Sequence, residues 1–93
     1  MLMKIQLPID REKALDVAVA LASKRRLGII IMLQKNPMTL AEIHRQAGGS
    51  KYASTTYRNL KILVKAGLLE KFYDDGVKYR IKSKEVSFRT WTD

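Results

Sequence analysis

Residues 39–67 read TLAEIHRQAGGSKYASTTYRNLKILVKAG, and this stretch decides the fold. It opens with Thr39 and has Glu42 three residues later, which is the spacing of a capping box. In that motif the two residues satisfy each other's backbone N–H groups at the start of a helix. The glycines at 48–49 can end the helix, because glycine readily adopts the left-handed conformation of a helix stop. The pattern predicts a short helix followed by a tight turn.

A second helical pattern follows this turn and covers about residues 51–67. Ser50 and Ser54 are both acceptable N-cap residues, so the helix should begin between them. It should end at Gly67 for the same reason that applies at the first stop. Two helices joined by a glycine-containing turn are a helix-turn-helix motif, and we interpret the rest of the chain as support for the second helix.

At 100° per residue, the helix over 51–67 has two distinct faces. The side expected to pack on the core carries Ala53, Thr56, Leu60, Leu63 and Gly67. The opposite side carries Lys51, Ser54, Thr55, Arg58, Ile62 and Lys65, with Tyr57 and Asn59 on the flanks. The segment contains no acidic residue, so its exposed face is cationic.

Residues 10–22 form the first predicted helix, with Asp10 as its N-cap. Apolar side chains go most of the way around it, although one stripe of about 100° is enough to cover a core. The surplus favours a second contact surface, most simply another subunit, over a helix that is merely more hydrophobic than it needs to be. Residues 83–93, a C-terminal tail of undetermined structure, are a further candidate for dimer contact.

A second amphipathic helix follows over about residues 24–33 and must end before Pro37, since proline forces the preceding residue out of the helical region. Its start carries Lys24, Arg25 and Arg26. These cations gain nothing from a helix N-terminus, so we expect a solvated face rather than a phosphate contact.

After residue 67 the apolar period changes from helical to alternating. Residues 68–73 and 77–82 flank Asp-Asp-Gly at 74–76, which is a hairpin turn signal. Tyr79 and Ile81 alternate with cationic residues, so one strand face should be apolar and the other basic. The predicted fold is α+β: one winged helix-turn-helix domain over 1–93, with three to four helices, a two-stranded wing over 68–82 and an arm over 1–9 that is either irregular strand or mobile.

Charge is the strongest property of the whole composition. Lys and Arg number 18 against 9 acidic residues, which gives a net charge of +9 and a pI near 10.0. A small basic domain points to nucleic acid or an anionic membrane surface, although surplus lysines can also serve solubility alone. No apolar run approaches the ~20 residues of a membrane span. The wholly cationic segment 51–67 favours nucleic acid over these alternatives, and we expect a cytoplasmic, nucleoid-associated protein that binds double-stranded DNA.

The second helix of the motif can enter the major groove, where its N-terminal half would meet base edges. Arg58 suits a bidentate contact to guanine. Asn59 suits adenine, though its flank position makes a phosphate contact equally plausible, and Tyr57 is either a semi-buried core residue or a DNA contact. Ser54 and Thr55 can reach bases or phosphates. The remaining cations of this helix are Lys51, Lys61 and Lys65. The hairpin carries Lys71, Lys78 and Arg80, which we expect to lie beside the DNA backbone.

The acidic tip of the hairpin, Asp74 and Asp75, would be repelled by phosphates. We therefore expect contact from the sides of the strands rather than insertion into the minor groove.

Several of these segments together resemble a known family. Residues 27–33, MTLAEIHRQAG, TTYRNLKILVKAGLL and the hairpin ending YRI are similar to bacterial and archaeal winged-helix regulators of the ArsR and MarR type, and TTYRNLKIL also resembles the recognition helix of ferric-uptake-type regulators. The resemblance covers about residues 24–82. It implies a homodimer on a pseudo-palindromic operator, with 51–61 in the major groove and dimerisation through helix 10–22 and the C-terminal tail.

The resemblance does not extend to the metal-sensing sites of this family. The chain has no cysteine and its only histidine is His44, whereas ArsR-type metal sensors use cysteine or multi-histidine sites. A lone histidine is most often a surface or semi-buried side chain, so we expect no metal and no cofactor. No nucleophile–base pair or phosphate-binding loop suggests an enzyme. The alternatives to a regulator are a winged helix for protein–protein assembly and a sequence-tolerant architectural DNA binder.

Overall fold

The computed structural model describes residues 2–6, 10–47, 53–82 and 87–91. Within these ranges four helices and four strands follow one another: β1 (Leu2–Gln6), α1 (Arg11–Leu21), α2 (Lys24–Leu33), α3 (Leu40–Ala47), α4 (Ala53–Lys65), β2 (Leu69–Tyr73), β3 (Val77–Ile81) and β4 (Ser87–Trp91). The predicted winged helix-turn-helix fold is confirmed: α3 and α4 form the motif and β2–β3 form the wing.

The first two helices each begin at a capping residue, of which Asp10 was predicted from the sequence. The Asp10 carboxylate accepts hydrogen bonds from the backbone N–H groups of Glu12 and Lys13, at 2.8 and 3.1 Å, and so caps α1. Ser23 caps α2 by accepting from the N–H of Arg26 at 3.3 Å. Both caps satisfy donors that have no partner within the first turn of a helix.

The capping box of α3 has the expected geometry. The N–H of Glu42 donates to the Thr39 hydroxyl at 3.2 Å, and the N–H of Thr39 donates to the Glu42 carboxylate at 3.2 Å. Met38 and Ile43, on either side of the cap, are both buried in the core, as the two halves of a hydrophobic staple should be. The predicted glycine turn at 48–49 lies outside the described residues.

Helix α4 ends at Lys65, two residues before the end that the sequence predicted at Gly67. Gly67 has φ of 80°, the left-handed conformation that glycine adopts without strain. The N–H of Leu68 reaches the carbonyl of Leu63 and that of Gly67 reaches Val64, both at 3.0 Å, which is a Schellman stop. Leu63 and Leu68 are both fully buried, so this stop also fixes where the wing begins.

The hairpin turns at 74–76 as predicted. Asp75 and Gly76 have positive φ values of 51° and 111°, and β2 pairs antiparallel with β3 from Leu69–Ile81 to Tyr73–Val77. Tyr79 also exchanges two backbone hydrogen bonds with Met38, at 2.8 and 3.1 Å. The wing is therefore bonded to the segment that enters α3.

The N-terminal arm and C-terminal tail, which the sequence left undetermined, pair with each other over their central residues. β1 runs antiparallel to β4, in a register from Leu2 opposite Trp91 to Gln6 opposite Ser87. We call this pair the terminal ribbon. It is a second two-stranded sheet, separate from the wing.

One apolar core joins α1, α2, α3, α4 and the base of the wing. Its fully buried members include Val17, Ile30, Ile43, Leu60 and Leu68. Two residues placed on the packing face of α4 by the sequence pattern, Ala53 and Gly67, are exposed instead. Both lie at or beyond the helix ends, where the helical period no longer describes the chain.

The capping box predicts a specific acid sensitivity. Hydrogen bonds from the Thr39 backbone N–H and hydroxyl lower the pKa of the Glu42 carboxyl below its usual range. A lowered folded-state pKa adds stability above the unfolded pKa, near 4.5, and that stability is lost as pH falls through the folded value. Glu42→Gln keeps a capping-box residue but removes the titration. The stability advantage of wild type over this variant should shrink in acid, as measured by thermal melting across pH. Melting curves that stay equally far apart would contradict it.

Candidate nucleic-acid interface

Helix α4 presents a cationic face to solvent and an apolar face to the core. Thr56, Leu60 and Leu63 are buried, whereas Ser54, Arg58, Lys61 and Lys65 are exposed. Thr55 and Ile62 lie at the boundary and are half-buried. The helix is 13 residues long and its first turn contains no acidic residue. An exposed basic helix of this diameter fits the width of the DNA major groove.

A shallow depression of about 490 Å³ runs along this exposed face. Its lining brings together five of the predicted DNA-contacting side chains around Ile62: Ser54, Tyr57, Arg58, Lys61 and Lys65. We call this surface the α4 face. Arg58 is exposed and has no hydrogen bond or ion pair with any residue that the structure describes. Of the other predicted contacts of this helix, Thr55 and Asn59 are half-buried outside this lining, and Lys51 lies outside the described residues.

Tyr57 belongs to the α4 face rather than to the core. Its side chain is 41 % exposed, and the Lys61 ammonium lies 5.7 Å from the centre of its ring, within the range of a cation–π contact. Burial, and secondarily the neighbouring Tyr57, raises the pKa of the Tyr79 hydroxyl on the wing. Tyr57 is therefore a partner of the α4 cations and is available at the surface.

A hydrogen bond that the sequence analysis missed fixes α4 against α3. Thr56 is only 4 % exposed, and its hydroxyl lies 2.7 Å from Nδ1 of the half-buried His44. A buried hydroxyl needs such a partner. His44 is therefore semi-buried, as expected, and it helps to position α4. Helical period placed Thr56 on the packing face, but nothing in the sequence showed that it meets His44.

Two of the three predicted wing contacts, Lys78 and Arg80, lie on the same face of β3 but already have acidic partners. Arg80 donates to Glu70 at 2.5 Å and stacks 4.3 Å from the Phe72 ring. The Lys78 ammonium lies 3.8 Å from the Asp74 carboxylate. Exposed pairs of this kind are weak, so a phosphate can compete with them, but the net positive charge of the wing is reduced.

Lys71 does not share a face with these cations. In the observed register it lies directly opposite Tyr79, whereas Glu70 lies opposite Arg80. Since neighbouring residues of a strand point to opposite sides of a sheet, Lys71 and Arg80 are on different faces of the wing. A single DNA backbone running beside the wing would meet one of these faces, so it would not contact Lys71 together with Lys78 and Arg80.

The prediction that Lys24, Arg25 and Arg26 form a solvated face is also wrong for Arg26. Its Nε donates to the carbonyl of Ala20 at 2.6 Å, and its two terminal nitrogens reach the carbonyl of Val19 at 3.4 Å and the side-chain oxygen of Asn59 at 3.2 Å. The last turn of α1 contains no basic residue of its own, so Arg26 supplies the cation that a helix C-terminus favours.

The same contact changes the position of Asn59. A guanidinium can only donate, so its bond to Asn59 fixes the amide with Oδ1 toward Arg26. Asn59 is half-buried, and a bidentate contact to adenine needs both its oxygen and its nitrogen. Reading adenine would therefore require Asn59 to share or release the oxygen that Arg26 holds.

The surplus apolar surface of the first helix is present in the structure. In α1 only Val17 and Ala20 are buried, while Leu15 is 63 % exposed and Val19 58 % exposed. With Ala18, also exposed, they share one side of the helix at spacings of three and four residues, and the exposed C-cap residue Ala22 follows directly after the helix. We call these four residues the α1 stripe. No helix in the described part of the chain is long and apolar enough to cross a membrane.

Comparison with known proteins identifies the family. A model of the family described as "Helix-turn-helix domain" matches residues 21–71, which is more than half of the chain. No curated protein is similar enough to match. Among solved structures, HlyU from Vibrio cholerae is 29% identical, with a TM-score of 0.70 over 80% of this chain and 79% of that chain.

Two further structures give the same result. The homodimeric winged helix-turn-helix DNA-binding domain Mb0332 from Mycobacterium bovis, a possible ArsR-family transcriptional regulator, is 28% identical, with a TM-score of 0.71 over 78% of this chain and 67% of that chain. NolR from Sinorhizobium fredii is 26% identical, with a TM-score of 0.68 over 78% and 72% of the two chains. The chain therefore belongs to the helix-turn-helix domain family, and its winged fold is similar to that of solved structures that include a possible ArsR-family transcriptional regulator.

Proposed function

We propose that the protein regulates transcription by binding a specific double-stranded DNA sequence as a homodimer. The observation that carries this proposal is the α4 face, where an exposed arginine and two exposed lysines project from a helix whose other side is anchored in the core. The net charge of +9 supports it, because a basic domain is attracted to the phosphate backbone whatever the base sequence.

Within this proposal the residues divide by task. Arg58 reads a guanine in the major groove, while Ser54, Thr55 and Tyr57 contact bases or the nearby backbone. Lys51, Lys61 and Lys65 neutralise phosphates, and Lys78 and Arg80 of the wing contact the backbone laterally after releasing their weak acidic partners. The protein would act in the cytoplasm, at the nucleoid.

The α1 stripe and the terminal ribbon support a dimer. Leu15 and Val19 are large apolar side chains on the surface of a chain of only 93 residues, where burial against a second subunit would add stability. A two-stranded ribbon is marginally stable by itself, so the β1–β4 pair also benefits from a partner. The Mb0332 domain, which is similar in fold and homodimeric, supports the proposal of a dimer.

Selection of bound sequences from random duplex DNA tests the proposed function. A regulator should prefer the selected sequence over bulk DNA by about 10³-fold or more at a stated salt concentration. Binding without preference would instead indicate an architectural DNA binder. Failure to bind duplex, with retention of an acidic protein, would indicate an assembly module.

Metal and redox agents should have little effect on this binding. The chain has no cysteine, and no group of three or more His, Asp or Glu side chains that could hold a metal occurs among the described residues. Zn²⁺, a chelator, an oxidant and a reductant should each leave the DNA affinity nearly unchanged in a fluorescence-anisotropy titration. A tenfold change with any of them would reveal a sensor site and contradict this expectation.

A further inference from the structure

The side chain of Arg26 is the one contact among those described above that joins three helices at once. It begins on α2, bonds two carbonyls in the last turn of α1 and bonds the side chain of Asn59 on α4. We propose that Arg26 is a positioning residue that couples pairing of the subunits through α1 to DNA binding by α4. This inference rests on the proposed function and adds a route between its two parts.

The contacts of Arg26 form a short path from the α1 stripe to the α4 face. Val19 contributes its exposed side chain to the α1 stripe and its carbonyl to Arg26. Asn59 accepts from Arg26 and directly follows Arg58 on α4. A partner subunit that covers the stripe fixes the last turn of α1, and this turn holds the guanidinium that orients Asn59. Only one side chain separates the dimer surface from the helix that reads DNA.

The chemistry of arginine suits this role. Its planar guanidinium presents several N–H donors in a fixed geometry, so movement of one acceptor reorients the donors that serve the others. Lysine at this position would keep the positive charge but would lose the planar arrangement of N–H donors. Arg26 is also half-buried, where hydrogen bonds from a charged donor are stronger than they are at the surface.

Thermodynamic linkage gives the coupling a measurable form. If dimerisation favours DNA binding, DNA must favour dimerisation by the same factor, which for typical coupled sites is about 5- to 150-fold. The probe is a duplex with one half of the selected sequence, too short for both subunits, so that a shared DNA molecule cannot hold the dimer together. The dimer association constant is measured by sedimentation equilibrium, with and without this duplex.

In wild type the association constant should rise within that range when the half-site is bound. Arg26→Ala and Asn59→Ala should each abolish most of the rise, and the double variant should lose no more than either single variant, because all three interrupt the same path. Lys24→Ala, which removes an exposed charge from the same helix, should retain the rise. A contact to DNA made directly by Asn59 would lower affinity without changing this ratio.

Thermal melting separates coupling from folding. Arg26→Ala also removes the bonds to the end of α1 and can destabilise the protein, whereas Asn59→Ala leaves those bonds in place and still breaks the link to α4. The proposal would be overturned if the half-site duplex raised the dimer association constant of a folded Asn59→Ala variant as much as that of wild type. It would also be overturned if the two substitutions reduced this increase independently, so that their effects multiplied in the double variant. A wild-type protein without any rise, or one that stays monomeric, would overturn it as well.

A second readout needs no DNA. Amide hydrogen exchange in α4 should become faster when wild-type dimers are diluted into monomers, and this dilution effect should be absent in Asn59→Ala. If wild type binds no duplex but shows the dilution effect, the proposed function and the coupling to DNA binding both fail, and only the structural link from α1 to α4 stands. If wild type binds its DNA sequence specifically but shows neither the rise nor the dilution effect, the coupling fails and the proposed function stands.

Discussion

Leu15→Glu combined with Val19→Glu is expected to convert the dimer into a monomer of 10.7 kDa. Both side chains are more than half exposed in the protomer, so a partner subunit would have to bury two new carboxylates, which is costly when they have no partner. Because linking two binding modules raises affinity by about 10²–10⁴-fold without any new contact, the affinity for a two-half-site operator should fall by about 10²-fold or more.

The protomer itself should tolerate these changes. Substitutions at exposed positions usually alter stability by no more than about 0.5 kcal/mol, so the melting temperature of the variant monomer should resemble that of diluted wild type. Leu15→Met with Val19→Ile is the matched control, since it keeps the stripe apolar and should stay dimeric. Sedimentation at micromolar concentration makes the measurement. A glutamate variant that still sediments at twice the monomer mass would exclude α1 as the interface.

Arg58→Ala and Lys61→Ala should have different effects on DNA binding, although the two positions are neighbours on the α4 face. Loss of a bidentate arginine–guanine contact should cost about 1–3 kcal/mol on the preferred sequence and relax the preference at one base position. Loss of a phosphate contact should weaken binding to all sequences alike and make the log–log salt dependence shallower by about one unit. Titrations on the selected sequence and on random duplex, each at several salt concentrations, separate the two outcomes.

The surroundings of Arg58 and Lys61 determine which control variants this comparison needs. The Arg58 guanidinium has no partner among the described residues, so its removal should leave the protein's stability unchanged. The Lys61 ammonium lies near the Tyr57 ring, so Lys61→Ala also releases Tyr57, and Tyr57→Phe is needed to show that the tyrosine hydroxyl does not carry the effect. If Arg58→Ala weakens specific and random DNA equally, Arg58 is a phosphate contact, and Thr55, Tyr57 and Asn59 become the candidate readers.

The elements that sequence predicted well are those governed by neighbours in the chain. The capping box of Thr39 and Glu42, the end of α2 before Pro37 and the hairpin at 74–76 each depend on residues within a few positions of one another. The faces of α4 also followed from helical period, because Leu60 and Leu63 need only a core on one side. Local spacing carries this information, and the structure agrees with it except at the helix ends.

The contacts that sequence missed depend on tertiary placement. Arg26 appeared as one of three consecutive cations, and its partners in α1 and α4 become neighbours only after those helices pack. The pairing of Arg80 with Glu70 requires the register of the wing, which fixes the charge left for DNA. The bond between His44 and Thr56 likewise joins two helices. In each case the residue type was clear, but its partner was set by the fold.

The terminal ribbon has a consequence for the order of folding. Its pairing of Leu2 with Trp91 closes a loop around almost the entire chain, whereas the helix-turn-helix and the wing are built from contacts between successive elements. Loop closure costs more entropy as the loop lengthens, and contacts between distant residues form slowly. The helical body should therefore fold first and the ribbon last. If the ribbon belongs to the subunit contact, assembly is a separate, later event that begins only after the DNA-binding surface already exists.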